Sequence, residues 1–385
     1  MELKINSKYP SVDDLRDRAR RRIPRFAFEY LDGGCNEDVN LHRNTAEIRD
    51  VVLKPYYLTK HTGSDLQTEL FGHTYDAPFG IAPVGLQGLM WPKSPEILAK
   101  AAFDYNIPFV LSTVSTSSIE TIAEITEGRA WFQLYHPAED ELRDDIIQRA
   151  DSAGCPVLVI LCDVPTFGYR PRDIRNGLAM PPKMTLRNIM QIFGKPSWAV
   201  NTLLAGSPQF RTMTPYTPKG LSLKNLGYFM DKTFSGRLND DKVKAIRDMW
   251  KGKLVLKGVA SEEDTERAIA LGIDGIIVSN HGGRQLDGSR APFDQLSEIV
   301  DAVGDKIDVI CEGGIQRGTH VLKALSLGAK ACSGGRLYLY ALAAAGQAGV
   351  ERVLNQMRNE LERDMKLMGC KTVNDLSRKN LRFRN

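Results

Sequence analysis

From about residue 78 onward, short apolar runs alternate with longer amphipathic stretches. The apolar runs fall at 78–83, 108–112, 130–135, 156–163, 253–257, 275–280, 308–312 and 329–334. Most are only a few residues long and rich in Ile, Val and Leu, which suits strands buried on both faces of a parallel sheet. The stretches 95–105, 117–127, 138–153, 261–271 and 319–327 carry apolar residues at three- and four-residue spacing, the pattern of a helix with one buried stripe. Eight such strand–helix repeats predict an α/β chain closed into a (β/α)8 TIM barrel rather than an open sheet. Upstream, 11–31 predicts one or two helices that add Tyr30 to the barrel rim. The whole chain, 1–385, is expected to form a single barrel domain.

One stretch breaks the rhythm. Roughly ninety residues separate the fourth and fifth predicted strands, where a barrel connection usually needs about thirty or fewer. Within it, 178–236 holds Lys183, Arg187, Lys195, Arg211, Lys219, Lys224 and Lys232 against the single acid Asp231. These cations are interleaved with Met184, Leu186, Met190, Phe193, Trp198, Leu203, Leu204, Phe210 and Met213. Such a mixture resembles an interfacial membrane anchor; a basic lid or an oligomer contact is the plainer reading.

Composition narrows the class. Hydrophobic residues make up 42% and charged residues 25%, so a sizeable core can form and global disorder is excluded. The formal charge of +4 is small for this length and gives no reason to invoke nucleic acid. The six cysteines (Cys35, Cys155, Cys162, Cys311, Cys332, Cys370) show neither CxxC pairing nor metal-ligand spacing, and are expected to be reduced, mostly buried thiols of a cytoplasmic protein. No apolar run is long enough to span a bilayer, and no signal-like segment opens the chain.

The candidate chemistry falls at the C-terminal ends of the predicted strands, which converge on one mouth in a closed barrel. These positions are Pro83-Val84-Gly85, Ser112, Gln133 and Tyr135, Asp163, Lys257, Ser279 to His281, Glu312-Gly313-Gly314 and Gly335-Arg336. The sharpest signal is Ser279-Asn280-His281-Gly282-Gly283-Arg284-Gln285-Leu286-Asp287. A β-branched run delivers His281 to a strand end, two glycines let the backbone turn close to a ligand, and Arg284 brings a carboxylate clamp beside a base. A lone His, Tyr or Arg is more often structural, and only their convergence argues for a site.

That signature resembles the FMN-dependent 2-hydroxy-acid oxidase and dehydrogenase family, and the likeness runs from the N-terminal helices to beyond Gly335. The resemblance implies FMN as cofactor and oxidation of a small (S)-2-hydroxy acid, lactate- or mandelate-like, to the 2-oxo acid. It makes His281 the base and Asp163 its partner. Arg284, Arg170 and Tyr30 would hold the substrate carboxylate, and Tyr135 the substrate hydroxyl or carbonyl oxygen. Lys257 and Ser279 would lie at the N1/O2 edge of the flavin. Gln133, Ser112 and the backbone of Pro83, Val84 and Gly85 would contact the ring, while Glu312-Gly313-Gly314 and Gly335-Arg336 would cradle the phosphate. No metal is implied, and a homotetramer is the expected assembly.

Departures from the family pattern sharpen the expectation. The acidic-Gly-Gly motif carries Glu312 in place of Asp, Gln316 replaces the phosphate-binding Arg, Leu161 replaces a flavin-bonding Thr, and Val114 stands where oxidases often have Trp. Phosphate binding then leans on Arg336 and backbone amides, with Arg317 as a further candidate. Gly85, Gly168-Tyr169-Arg170-Pro171-Arg172-Asp173 and Lys195-Pro196-Ser197-Trp198 resemble the mandelate-dehydrogenase branch, whose members attach to membranes through this loop. A membrane quinone or carrier is therefore the expected electron acceptor, with the inner face of the cell membrane as the expected location. The alternatives are an oxygen-using oxidase or decarboxylating monooxygenase of the same family, an FMN-barrel isomerase, and a non-catalytic flavin or lipid-surface binder.

Overall fold

The computed structural model describes residues 9–60, 63–178, 183–218, 232–234 and 238–383. Its centre is an eight-stranded parallel sheet. The strands are β1 (Phe79–Ile81), β2 (Val110–Ser112), β3 (Trp131–Leu134), β4 (Val157–Leu161), β5 (Lys253–Val259), β6 (Gly275–Ser279), β7 (Asp308–Glu312) and β8 (Ala331–Gly334). Neighbours follow chain order from β2 to β8, β8 pairs with β1, and a parallel bridge from Ile81 to Phe109 brings the ends together. The chain thus forms the expected TIM-type barrel. β2, β3, β4 and β6 are buried along their whole length because helices cover the outside and side chains fill the inside.

Each predicted helix is present within a few residues of its expected ends: Ser94–Asp104, Ile119–Thr126, Asp140–Ser152, Glu262–Ala270 and Gly318–Ser326. Ser118 and Ser261 start two of them by accepting a hydrogen bond from the backbone N–H three residues on. The N-terminal stretch is two helices, Val12–Arg22 and Arg25–Asp32, because Pro24 forces Ile23 out of helical geometry.

The barrel has a floor. A hairpin of Thr68–Leu70 and His73–Tyr75 packs Leu70, Phe71 and Tyr75 against Val110, Trp131, Val157, Val255, Ile277 and Ile310 inside the ring. Trp131 Nε1 donates to Tyr75 Oη at 3.0 Å, and Phe71 meets the Trp131 ring edge-on at 5.3 Å. Dry packing at this end leaves the C-terminal ends of the strands as the open mouth.

The long connection after β4 contains the helices Leu186–Phe193 and Pro196–Ala205 and the 3-10 turn Arg211–Tyr216. It is pinned to the body from below. Trp198 Nε1 donates to Leu89 O at 3.1 Å, its ring meets Phe26 at 5.9 Å, and Lys195 Nζ donates to Arg21 O at 2.6 Å. The apolar residues of the segment therefore divide. Trp198, Met213 and Phe210 face inward, whereas Met184, Leu186, Met190, Phe193, Leu203 and Leu204 are exposed. Lys219, Lys224 and Asp231 lie outside the described residues. Among the described residues, no helix is long and apolar enough to cross a membrane.

Candidate active site

A cavity of about 510 Å³ lies beside the insert, but the chemistry-bearing residues gather in a second one, of about 480 Å³, at the barrel mouth. Its walls include Tyr30, Pro83, Val84, Gly85, Tyr135, Arg170, Lys257, His281, Arg284, Glu312 to Gly314 and Gly335-Arg336. The structure therefore unites residues from the N-terminal helices with residues at the ends of, or in the loops after, all eight strands.

His281 follows β6 with a φ of +56°, a left-handed conformation uncommon for a residue with a Cβ. Its backbone N–H donates to Ser279 Oγ at 3.0 Å, which helps hold the turn. Nδ1 lies 3.2 and 3.4 Å from the two carboxylate oxygens of Asp163. With Nδ1–H directed at Asp163, Nε2 keeps its lone pair, and it faces Tyr135 Oη at 3.5 Å. Burial alone would raise the Asp163 carboxyl, but the His281 ring, through its charge when protonated and its hydrogen bond, with Lys257 nearby, holds it below its ordinary value. Burial and the Asp163 charge push the Tyr135 phenol well up, so it stays a neutral donor.

Arg284 is positioned by its own backbone-directed bonds. Nη1 donates to Tyr30 O at 2.7 Å and to Gly33 O at 2.8 Å, and the guanidinium lies 4.8 Å from the Tyr30 ring centroid. Nη2 is buried without a hydrogen-bond partner among the described residues. Burial, with Arg170 alongside, lowers the Arg284 guanidinium to about 10. Arg170 reaches the same place through Gly168, where any Cβ would come within 2.3 Å of Arg284 O. Asp173 sits between the two arginines, 3.9 Å from Arg170 Nη1 and 3.7 Å from Arg284 Nη2. Burial raises its carboxyl despite both cations. An unpaired guanidinium N–H in a buried pocket is a donor awaiting an anion.

The other half of the cavity suits a flat, polar ring ending in a phosphate. Ser112 Oγ and Gln133 Nε2, on paired residues of β2 and β3, do not line the cavity itself; they are buried and have no hydrogen-bond partner among the described residues. Gly313 and Gly314, with φ of +140° and +74°, turn the backbone after β7, and Gly335 precedes the helix Arg336–Ala345. These features fit a flavin mononucleotide.

Three residues depart from the roles expected of them. Arg336 lines the cavity, but its Nε, Nη1 and Nη2 donate to the carbonyls of Leu31, Gly282 and Gly33, so it ties the rim together. Arg317 turns away to Glu360 and does not line the cavity. The Glu312 side chain points to Lys257 and Ser279 rather than along the glycine turn. The sequence reading also missed Asp173, the wall residues Met90, Leu178 and Phe210, and Leu41, Asn44 and Thr45 from the third helix, Val39–Asp50. Asp173 stood inside a quoted motif and could have been found there; the others come from distant segments with no local signature.

Comparison with known proteins gives the site its lineage. The family described as FMN-dependent dehydrogenase matches residues 19–383. An L-lactate dehydrogenase of Vibrio parahaemolyticus is 38% identical over 369 residues, covering 96% of this chain and 97% of the relative. The crystal structure of the monotopic membrane protein (S)-mandelate dehydrogenase superposes with a TM-score of 0.92 at 35% identity, covering 97% of this chain and 99% of that one. Mandelate oxidase superposes with a TM-score of 0.84 at 33% identity, covering 98% of each chain. With a match across nearly its whole length and a mouth shaped for a flavin, this chain belongs to the FMN-dependent dehydrogenases and is an FMN-dependent oxidoreductase of 2-hydroxy acids.

Proposed function

We propose that the chain oxidises a lactate- or mandelate-like (S)-2-hydroxy acid and passes the electrons to a membrane quinone or carrier. The observation that carries this reading is the His281–Asp163 pair with Nε2 open to the cavity, next to Arg284, whose Nη2 lies 3.7 Å from Asp173 and makes no hydrogen bond among the described residues. Bound FMN supplies a two-electron acceptor. Arg284, Arg170 and Tyr30 hold the substrate carboxylate, which orients the α-carbon and hydroxyl toward Nε2. Tyr135 donates to the substrate oxygen, and His281 Nε2 takes a proton as the substrate is oxidised. The resulting imidazolium meets the Asp163 carboxylate, already in place and ionised. Ser112, Gln133, Lys257, Ser279 and the backbone of Pro83 to Gly85 would hold the ring. The amides of Gly313, Gly314 and Gly335 would hold the phosphate, with Arg336 bracing the rim.

Val114, Met90, Leu178 and Phe210 wall the cavity with apolar side chains. This favours an apolar substituent on the hydroxy acid, larger than the methyl of lactate. The membrane reading draws on the exposed apolar side chains of the insert, with Phe193 at 78% and Leu203 and Leu204 at 82% exposure. Arg18, Arg20 and Arg21, exposed near the Lys195 anchor, add charge suited to anionic lipid on the inner face of the membrane. The proposed assembly is a homotetramer, to be checked by mass in detergent.

The test is an anaerobic bleaching screen of the flavin with lactate, glycolate, mandelate and larger 2-hydroxy acids. Rapid bleaching by one (S)-acid, with negligible peroxide in air and turnover supported by a quinone, is the expected result. Peroxide stoichiometric with substrate would overturn the acceptor assignment in favour of an oxidase, the name one of the similar structures bears.

A further inference from the structure

Lys257 and Glu312 are both almost wholly buried at the cavity floor and form a direct ion pair. Glu312 Oε1 accepts from Lys257 Nζ and also from Ser279 Oγ at 3.0 Å, while Oε2 accepts from Ser333 Oγ at 2.9 Å. Lys257 Nζ donates in addition to Ser279 Oγ at 2.9 Å. Four consecutive strands, β5 to β8, thus contribute one polar residue each to a closed cluster of zero net charge. Two of the three ammonium N–H bonds are committed inside it. The residue that would face the flavin edge is therefore a half-neutralised cation. The carboxylate doing this is longer by one methylene than the Asp that the family pattern leads one to expect.

We infer that Glu312 is a positioning residue that sets the flavin's reduction potential by drawing Lys257 back and cancelling part of its field; this rests on the FMN reading of the site. A cation beside the ring favours the reduced cofactor, which carries the added negative charge. A carboxylate in contact with that cation works against it, most strongly where water is excluded. The oxidised form is favoured, so the bound flavin becomes a stronger donor to its acceptor and a weaker oxidant of substrate. Ser333 Oγ and Ser279 Oγ keep the carboxylate satisfied, so that the buried charge is not left exposed to desolvation alone.

The measurement is the midpoint potential of the holoenzyme by anaerobic reductive titration, for the wild type, Glu312→Gln and Glu312→Asp. Glu312→Gln should shift the equilibrium toward reduced flavin by at least about tenfold, ~30 mV for a two-electron couple. Glu312→Asp, which shortens the side chain and weakens the contact with Lys257, should shift it the same way by less. A purely structural role would lower Tm and leave the potential where it was. If Glu312→Gln does not fold or loses FMN, Glu312→Asp decides. An unchanged or lowered potential in the folded, flavin-bearing variants overturns the inference while leaving the FMN reading intact. A wild-type protein that binds no flavin would instead overturn that reading.

Discussion

Replacing Asp163 by Asn tests the electrostatic core of the mechanism with little change of shape. The carboxylate lies 3.2 Å from His281 Nδ1, and Asn can still accept one hydrogen bond there, so the variant removes charge more than geometry. Two unit charges about 4 Å apart interact by ~4 kcal/mol at the effective dielectric near 20 that describes protein sites. Relaxation of the site, with Lys257 close by, recovers part of that, leaving a loss of about 2–4 kcal/mol as the imidazolium forms. At 1.36 kcal/mol per decade, flavin reduction should slow by roughly 30- to 1000-fold. The carboxylate clamp is untouched, so substrate affinity should change little. Anaerobic rapid mixing of the FMN-bearing variant with a saturating 2-hydroxy acid reads the rate directly. A loss smaller than about fivefold, under ~1 kcal/mol, would show that the Asp163 charge does not support the developing imidazolium.

Other perturbations follow from the same geometry. A Cβ added at Gly85 meets Val114 Cγ2 at 2.7 Å. Gly85→Ala should therefore push Val114 into the cavity and raise KM for a bulky hydroxy acid severalfold, with Gly85→Ala/Val114→Ala restoring it; overpacking of this kind costs about 1–3 kcal/mol. Equal KM values for lactate- and mandelate-sized acids across all three proteins would contradict this. His136 is buried, both its ring nitrogens lack partners among the described residues, and burial, with Lys242 and Arg143 adding to it, lowers its pKa from 6.5 to about 4. The unfolded chain takes up a proton below about pH 6.5 and the folded one does not until near pH 4, so stability falls across that window, by up to about 3 kcal/mol. His136→Phe should flatten the loss of Tm between about pH 7 and 5, and an unchanged slope would refute the assignment. Leu203→Asp with Leu204→Asp removes two exposed apolar side chains, each contributing about 1.5–3 kcal/mol if buried in lipid. Sedimentation with anionic vesicles should drop by at least tenfold while turnover with a soluble acceptor stays the same; undiminished sedimentation would exclude this face.

The barrel was legible because its strands are short, doubly buried and β-branched, and because the helices between them carry a single apolar stripe. The site residues were legible where they sit near a strand's C-terminal end, as Lys257 does, or just past it, as Asp163 and His281 do, since the fold sends all strand ends to one mouth. Side-chain direction was not. Nothing in Glu312-Gly313-Gly314 tells that the acid turns to Lys257, because that depends on Ser333, in the next strand of the barrel. Arg336 looked like a phosphate ligand from its place at a helix start, yet three carbonyls of distant segments take one donor from each of its nitrogens. The insert's mixed composition resembled an interfacial anchor, and only packing against Phe26 and Leu89 separates Trp198 from Leu203 and Leu204.

In the proposed function, His281 Nε2 is the base for oxidation of a 2-hydroxy acid at bound FMN. Its most direct test is flavin reduction by substrate in His281→Gln, under anaerobic conditions, with FMN content and potential measured on the same sample. The variant should retain FMN, be reduced normally by dithionite, and be reduced by the hydroxy acid about a hundred- to ten-thousandfold more slowly than wild type, the range for a general base. Reduction by the hydroxy acid at or near the wild-type rate would contradict that role.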